Sequence, residues 1–389
     1  MITRRFGRTG LDMPVFSCGG MRYQHSWVDK EADGITDEGQ ENLEACIRRA
    51  LEVGINHIET ARGYGTSEVQ LGRILPKLPR SEMIVQTKVA PASAEEFRKT
   101  FDLSMRNLQL ESVDLLSIHG INNRELWEET ISPGGALEAA RQIVHEGRAT
   151  FVGFSTHAPC DLIEEIIESD VFDYVNLHWY FMNQTNWSAV EAATRHDMGV
   201  FIISPTEKGG CLHQPSEKLS SLTSPLSPMV FNDLNCLLHP EVHTLSIGAA
   251  RPSDFEEHLK TLPLLADGKG ESLVKEIVDR LEAEFLKTNG HVMPSRWDTD
   301  LPPFEKVPVG INLQEIVRLW SLDRAFDMQT YGKLRYNLLG NGGHWFPGVN
   351  ATEFDESAIK RIGAHLPSLL KKAHERFGDA PRKRLQQND

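Results

Sequence analysis

The sequence predicts a closed (β/α)8 barrel followed by a helical extension, and three observations lead there. Eight short apolar runs recur between residues 13 and 249, each holding β-branched or aromatic residues and each too short for a helix. Longer segments with apolar residues three or four positions apart separate them. The first run ends in CGGMR (18–22) rather than in the GxGxxG that opens a doubly wound dinucleotide-binding sheet. Eight strand–helix repeats over this length suit a barrel better than an open sheet.

Taken in order, ITRRFGRTGLDMPVF (2–16) reads as a hairpin turning at Gly10 and capping the barrel bottom. The strand runs are MPVFSCGG (13–20), INHIE (55–59), MIVQTKV (83–89), VDLLSIHG (113–120), FVGFSTH (151–157), YVNLHWY (174–180), VFIISP (200–205) and HTLSIGA (243–249). Between them QENLEACIRRALEVG (40–54) and SAEEFRKTFDLSMRNLQL (93–110) carry the amphipathic period. Beyond the barrel domain, expected over 1–265, residues 266–389 read as a second, helical domain. Helices are expected at 268–290 and 312–339, with Pro-rich 293–310 and GNGGHWFPGVN (340–350) as loops. Residues 356–378 read as a helix interrupted at Pro367, and 379–389, with PRKR at 381–384, as a solvated tail.

The chain has 389 residues, 40% hydrophobic, enough for a large core. Its net charge of -14 argues against a nucleic-acid partner, whose backbone is gripped by clustered Lys and Arg. The five cysteines, Cys18, Cys46, Cys160, Cys211 and Cys236, are odd in number and never spaced CxxC, so reduced packing thiols are expected. MITRRFGRTG lacks an apolar leader core, and no run approaches the roughly 18 residues of a membrane span. A cytoplasmic protein, monomer or small homo-oligomer, is the expectation.

Barrel enzymes place their chemistry at the C-terminal ends of the strands. The second run ends in Glu59, with Tyr64 beyond it in a loop flexed by Gly63 and Gly65; the third ends in Lys88 and the fourth in His119. Singly each residue has an ordinary explanation: a loop tyrosine, a solvated lysine, a near-core histidine. At three successive strand ends they can converge. An ammonium lowers a phenol's pKa from its usual value of about 10, a carboxylate aims the ammonium, and an imidazole can orient a carbonyl oxygen. Such a set suits protonation of a carbonyl oxygen while hydride reaches its carbon.

Here the sequence resembles the aldo-keto reductase family, over roughly residues 1–262. The motifs that carry the resemblance are RRFGRTGLDMPVFSCGG, ETARGYGTSE, TKV, DLLSIHG, VGFSTH, IISPTEKGG and IGAARPSDFEEHL, in that order. The resemblance implies a tetrad of Asp, Tyr, Lys and His, matched by Tyr64, Lys88 and His119, with Glu59 in the Asp position. Glutamate keeps the charge and adds a methylene, a change expected to be tolerated because the acid's task is electrostatic support. The resemblance also implies NADP(H) lying across the barrel top: Ser155, Thr156 and Asn176 on its carboxamide, and the loop Ser204, Pro205, Lys208, Gly210 around its pyrophosphate. Gly248, Arg251, Asp254, Glu257 and His258 would take the adenosine end, with Arg251 favouring a 2′-phosphate. Ile203 stands where relatives often stack an aromatic ring on the nicotinamide. The segment 307–348 is similar to the tail of bacterial relatives that append a ferredoxin-like iron–sulfur module, but no cysteine follows Cys236 to bind a cluster.

The expected function is therefore NADPH-dependent reduction of an aldehyde or ketone, with a small-molecule carbonyl as the partner and no metal. A barrel that binds NADP(H) but serves as a regulatory or interaction subunit is the alternative. A glycosidase reading fails because no second carboxylate ends a neighbouring strand. His157, His178 and Trp179 are candidate pocket or wall residues, HWFPG reads as a packed loop, and PRKR has no assigned role.

Overall fold

The computed structural model describes residues 1–30 and 34–384; the final five residues of the expected tail lie outside the described residues. The chain opens with an antiparallel hairpin, β1 (Thr3–Arg5) and β2 (Asp12–Pro14), whose turn ends at Gly10 in the left-handed region. Eight parallel strands then follow: β3 (Phe16–Gly19), β4 (His57–Glu59), β5 (Ile84–Val89), β6 (Val113–His119), β7 (Ala149–Ser155), β8 (Tyr174–Leu177), β9 (Gly199–Ile202) and β10 (Thr244–Ile247). They pair in chain order, and β10 returns to β3, closing the barrel.

The hairpin seals the bottom. Phe6 and Met13, both fully buried, join Leu115, Tyr174 and Phe201 in a small apolar cluster. A Cβ on Gly7 would stand 2.4 Å from the Gly199 nitrogen, and one on Gly199 would stand 2.6 Å from the Phe6 ring. Only two glycines let the hairpin sit this close to the barrel floor.

The outer helices form as their patterns require. In Ala94–Leu108 the Ser93 hydroxyl accepts from the Glu96 N–H at the N-terminus, and Phe97, Phe101, Met105 and Leu108 bury one face against the strands. All five cysteines are free and buried.

Beyond the barrel the principal helices are Lys269–Asn289, Leu313–Phe326, Gln329–Tyr336, Glu356–Ile362 and Leu366–Phe377. Val274, Ile277, Leu281 and Phe285 of the first pack with Ile316, Leu319, Leu322 and Phe326 of the second, and the same core takes in Phe181 and Met182 from the loop after β8 and Phe231 from the helix Pro228–Leu237. Two expectations are corrected here. The helical stretch 312–339 breaks at Asp327, which turns left-handed. The last helix breaks at Gly363 rather than at Pro367, which instead sits in the first turn of Leu366–Phe377, where a missing N–H costs nothing.

A candidate active site at the barrel mouth

Ladder register places the strand-end residues. Gly19 pairs with Glu59, Glu59 with Gln86, Lys88 with Ser117, His119 with Ser155, and Ser155 with Asn176. Of these positions Gly19, Glu59, Lys88, His119 and Ser155, with Tyr64, line one cleft of about 450 Å³.

At its floor Lys88 and Glu59, 1% and 3% exposed at the side chain, are in direct contact as an ion pair. Lys88 Nζ also donates to the Thr60 carbonyl oxygen (3.0 Å) and to the Tyr64 hydroxyl (3.2 Å). The Tyr64 hydroxyl in turn faces Glu59 Oε1 at 3.4 Å, and Glu59 Oε2 faces the Gly20 N–H at 3.4 Å. The longer side chain in the acid position fits because residue 19 has no Cβ: one there would come 2.4 Å from Ser246 Oγ and 3.3 Å from Glu59 Oε2. The His119 ring stands edge-on to Tyr64, centroids 5.7 Å apart. The Glu59, Tyr64, Lys88 and His119 quartet expected from sequence is thus assembled at one point.

The electrostatics correct one expectation. Lys88 does not lower the Tyr64 phenol; burial pushes it well above its ordinary value. Burial likewise draws the Lys88 ammonium down, and the touching Glu59 carboxylate is its counter-charge. The field of the Glu59-paired ammonium does not offset that burial, though its contact with the phenol remains. Tyr64 therefore carries its proton at neutral pH, as a proton donor must. His119 is driven down to about 3, first by burial and then by Lys88, so its imidazole is neutral and can give a hydrogen bond without adding charge.

The residues expected around a nicotinamide cofactor divide into two groups. Ser155, Ser204, Lys208 and Gly248 line the cleft, with Ile203 among them. Asn176 is fully buried beside Ser155 in the ladder, and neither of its amide atoms has a hydrogen-bond partner. Thr206, which the sequence did not single out, lines the same wall with its Oγ1 also unpartnered. Buried polar atoms of this kind normally find partners, so these two side chains have hydrogen-bonding capacity left over. Thr156 instead turns inward and donates to the Ile121 carbonyl oxygen (2.7 Å). Pro205 and Gly210 shape the loop behind Lys208: the Pro205 carbonyl crowds Gly209, and Gly210 adopts φ 134°.

Of the adenosine-end residues Gly248 belongs to the cleft lining, whereas Arg251, Asp254, Glu257 and His258 lie outside it. Arg251, exposed, pairs with Asp254 (3.0 Å), which also accepts from the Ala250 N–H. Glu257 holds Lys260 and accepts from Ser227, both at 2.6 Å. His258 is buried with Nδ1 2.6 Å from Asp233 Oδ2, so its ring serves the packing beneath the surface.

Four more features shape the cleft; the sequence reading offers His157 and His178 as pocket or wall candidates and assigns none of the other three to it. Arg22 and Glu207 face each other at 3.7 Å on the cleft wall. His157 lines the cleft, 3.0 Å from the buried His178, with Lys208 Nζ 3.3 Å from its ring; Trp179 lies in the core instead. His344 and Trp345 of HWFPG form a wall: His344 Nδ1 is 2.9 Å from Asn122 Nδ2, and the Trp345 ring meets His157 (5.9 Å) and Lys208 (5.5 Å). Lys383 and Arg384 of PRKR also line the mouth, so that segment is not merely a solvated tail.

Comparison with known proteins bears on the family and the fold. Residues 17–245 match the model of the Aldo/keto reductase family. An L-galactose dehydrogenase of Arabidopsis thaliana is 34% identical over 33% of this chain and 42% of its own length. An L-glyceraldehyde 3-phosphate reductase of Escherichia coli is 29% identical over 40% of this chain and 45% of its own. The chain thus aligns with less than half the length of these two relatives. Among solved structures, an aldo-keto reductase of Klebsiella pneumoniae in complex with NADPH superposes with a TM-score of 0.55 at 17% identity, over 71% of this chain and 94% of that one.

Proposed function

This chain belongs to the aldo/keto reductase family, and from that premise we propose that it reduces aldehyde or ketone carbonyls to alcohols with NADPH. The observation that carries the reading is the contact of Tyr64, Lys88 and Glu59 beside a neutral His119 at one end of the cleft.

NADP(H) suits the residues present. The unpartnered Asn176 amide is complementary to a nicotinamide carboxamide, and Ser155 keeps its hydroxyl proton for donation while its oxygen accepts from the Gly120 N–H (3.0 Å). Ser204, Thr206 and Lys208 would hold the phosphates, and Arg251 would meet the 2′-phosphate. When bound, the cofactor supplies hydride to the carbonyl carbon.

The chain's own groups do the rest. His119 donates a hydrogen bond that orients the carbonyl oxygen. Tyr64 holds the proton that this oxygen takes as negative charge develops on it. Lys88, in contact with Tyr64, then stabilises the phenolate left behind, and Glu59 keeps Lys88 aimed and charged. The non-catalytic alternative draws on Glu59, Ile203 and the cluster-free extension, and the contact of Glu59 with Lys88 counts against the first of these.

The test is direct. Purified protein with NADPH and a reactive aldehyde should lose absorbance at 340 nm. Tyr64→Phe should lower that rate by at least about a hundredfold, the lower end of general-acid contributions. An active Tyr64→Phe protein would strip the phenol of its role, and cofactor binding without turnover of any carbonyl would refute the reductase reading.

A further inference from the structure

The protein carries a net charge of -14, yet its cleft has the opposite bias. Two carboxylates line it, and each faces a cation: Glu59 faces Lys88, and Glu207 faces Arg22. Three further cations remain on the lining, Lys208, Lys383 and Arg384, and among the described residues none of them forms an ion pair. Under the reading above, cofactor phosphates account for Lys208. They do not account for Arg384 or the neighbouring Lys383, because Lys208 is held among His157, His178 and Trp345, whereas Arg384 lies over Trp27 on the Tyr64 side. The Arg384 guanidinium lies over the Trp27 ring at 4.2 Å, and Trp27 meets Tyr64 edge-on at 6.2 Å. The charge is therefore two ring contacts from the proton donor.

The segment is also fixed in place. Asn337, buried, donates from Nδ2 to the Phe377 carbonyl oxygen (2.8 Å), accepts at Oδ1 from the Asp379 N–H (3.0 Å), and accepts at its own carbonyl from the Arg382 N–H (2.8 Å). Three hydrogen bonds from one residue turn the chain back toward the barrel mouth just before the two cations. A guanidinium stacked on an indole has its plane set while its N–H edges stay available, which is the geometry a planar or tetrahedral oxyanion accepts in bidentate fashion.

We infer that Lys383 and Arg384 form an anion-binding subsite of the substrate pocket, so that the carbonyl compounds this protein handles best carry a carboxylate or a phosphate on the side away from the cofactor. The inference rests on the reductase reading for its substrate meaning; the subsite itself does not.

Three aldehydes of one outline test it: 4-carboxybenzaldehyde, 4-formylphenyl phosphate and the uncharged methyl 4-formylbenzoate. The wild type should favour the charged pair. In the double variant Lys383→Ala/Arg384→Ala, the kcat/KM ratio of charged to uncharged substrate should fall at least about tenfold, through KM, as loss of a charge-assisted contact implies. A larger fall for one charged compound names carboxylate or phosphate as the natural group. An unchanged ratio, or equal gains on all three aldehydes, overturns the inference, the latter by making the segment a cover instead of a subsite. A second arm needs no turnover: calorimetric titration of phenyl phosphate, with and without NADP+, should show affinity lost in the double variant. Equal affinity in both proteins overturns the subsite even if the reductase reading stands, and lost affinity without any carbonyl turnover leaves the subsite standing while that reading falls.

Discussion

The barrel and the helical region beyond it meet at one cleft and bring different kinds of group to it. From the barrel come side chains fixed by ladder register: Glu59 beside Gly19, Lys88 beside Ser117, His119 beside Ser155. From the helical region come His344 and Trp345 on a short 3-10 turn, and Lys383 and Arg384 on the segment that follows the last helix. A strand end moves only if its ladder moves, whereas a loop held by a few hydrogen bonds can change at small cost. Proton transfer needs placement within a fraction of an ångström, so the groups that aim it belong on the first kind of support, and Tyr64, on the loop after β4, is held to them through Lys88 and Glu59; reading a substrate's outline tolerates the second.

The largest expected effect tests the barrel half of this contrast. Lys88→Met removes the ammonium that touches both Tyr64 and Glu59 and leaves that carboxylate buried without its cation. Steady-state kinetics should show kcat down by about a hundredfold or more, with the NADPH KM little changed. A loss confined to KM would mean that the barrel quartet binds substrate and does not drive the chemistry, and the division would collapse.

Acid should find the same half. His57 is fully buried in β4, its Nδ1 2.6 Å from Ser17 Oγ, and burial first and Lys88 second drive it down to about 3. The folded protein keeps this ring neutral while the unfolded chain protonates it below about 6.5. Its stabilising contribution is therefore complete above that pH and is lost as pH falls from about 6.5 toward 3, at about 1.4 kcal/mol per pH unit. Buried His178, also drawn down by burial, adds the same sign. Denaturant midpoints at pH 7 and pH 5 should drop less for His57→Asn than for the wild type. Equal drops would show that the ring titrates freely in the native barrel.

Legibility follows the same division. The eight strands and the Glu59–Tyr64–Lys88–His119 set can be read from sequence because their signals are local: a short apolar run marks the strand, and its last polar residue marks the site. The extension's helices are readable for the same reason, from the period of Val274, Ile277, Leu281 and Phe285. Their position over the cleft is not readable. Asn122 meets His344, Asn337 anchors Arg382, and Trp27 lies under Arg384, each pairing residues far apart in the chain with no local mark on either. Local pattern alone thus leaves HWFPG a packed loop and PRKR a tail. The adenosine-end residues show the converse limit. A motif match cannot tell that His258 is occupied by Asp233, because Asp233 sits on a different helix.

A smaller effect sharpens the helical half. Trp345→Ala opens the wall beside His157 and Lys208 without touching the quartet. The carbonyl KM should rise about fivefold, the size expected for one lost apolar contact of roughly 1 kcal/mol, with kcat held within about twofold. A fall in kcat comparable to that of Lys88→Met would place this wall in the chemistry and erase the contrast.

The smallest expected effect is the one that decides what the acid position requires. Glu59→Asp withdraws the carboxylate by one methylene from the Lys88 contact. Lys88 keeps the Thr60 carbonyl and the Tyr64 hydroxyl, so its aim survives, and an aspartate at slightly longer range still supplies the counter-charge. Electrostatic support falls only as the inverse of distance, so kcat should change by less than about threefold. Geometric control would behave otherwise: were the acid's task to clamp the ammonium at one point, a shift of this size would move the rate by orders of magnitude. A large gain would then mean that the glutamate holds Lys88 off its best position, and a large loss that the barrel has repacked around the longer side chain through Gly19.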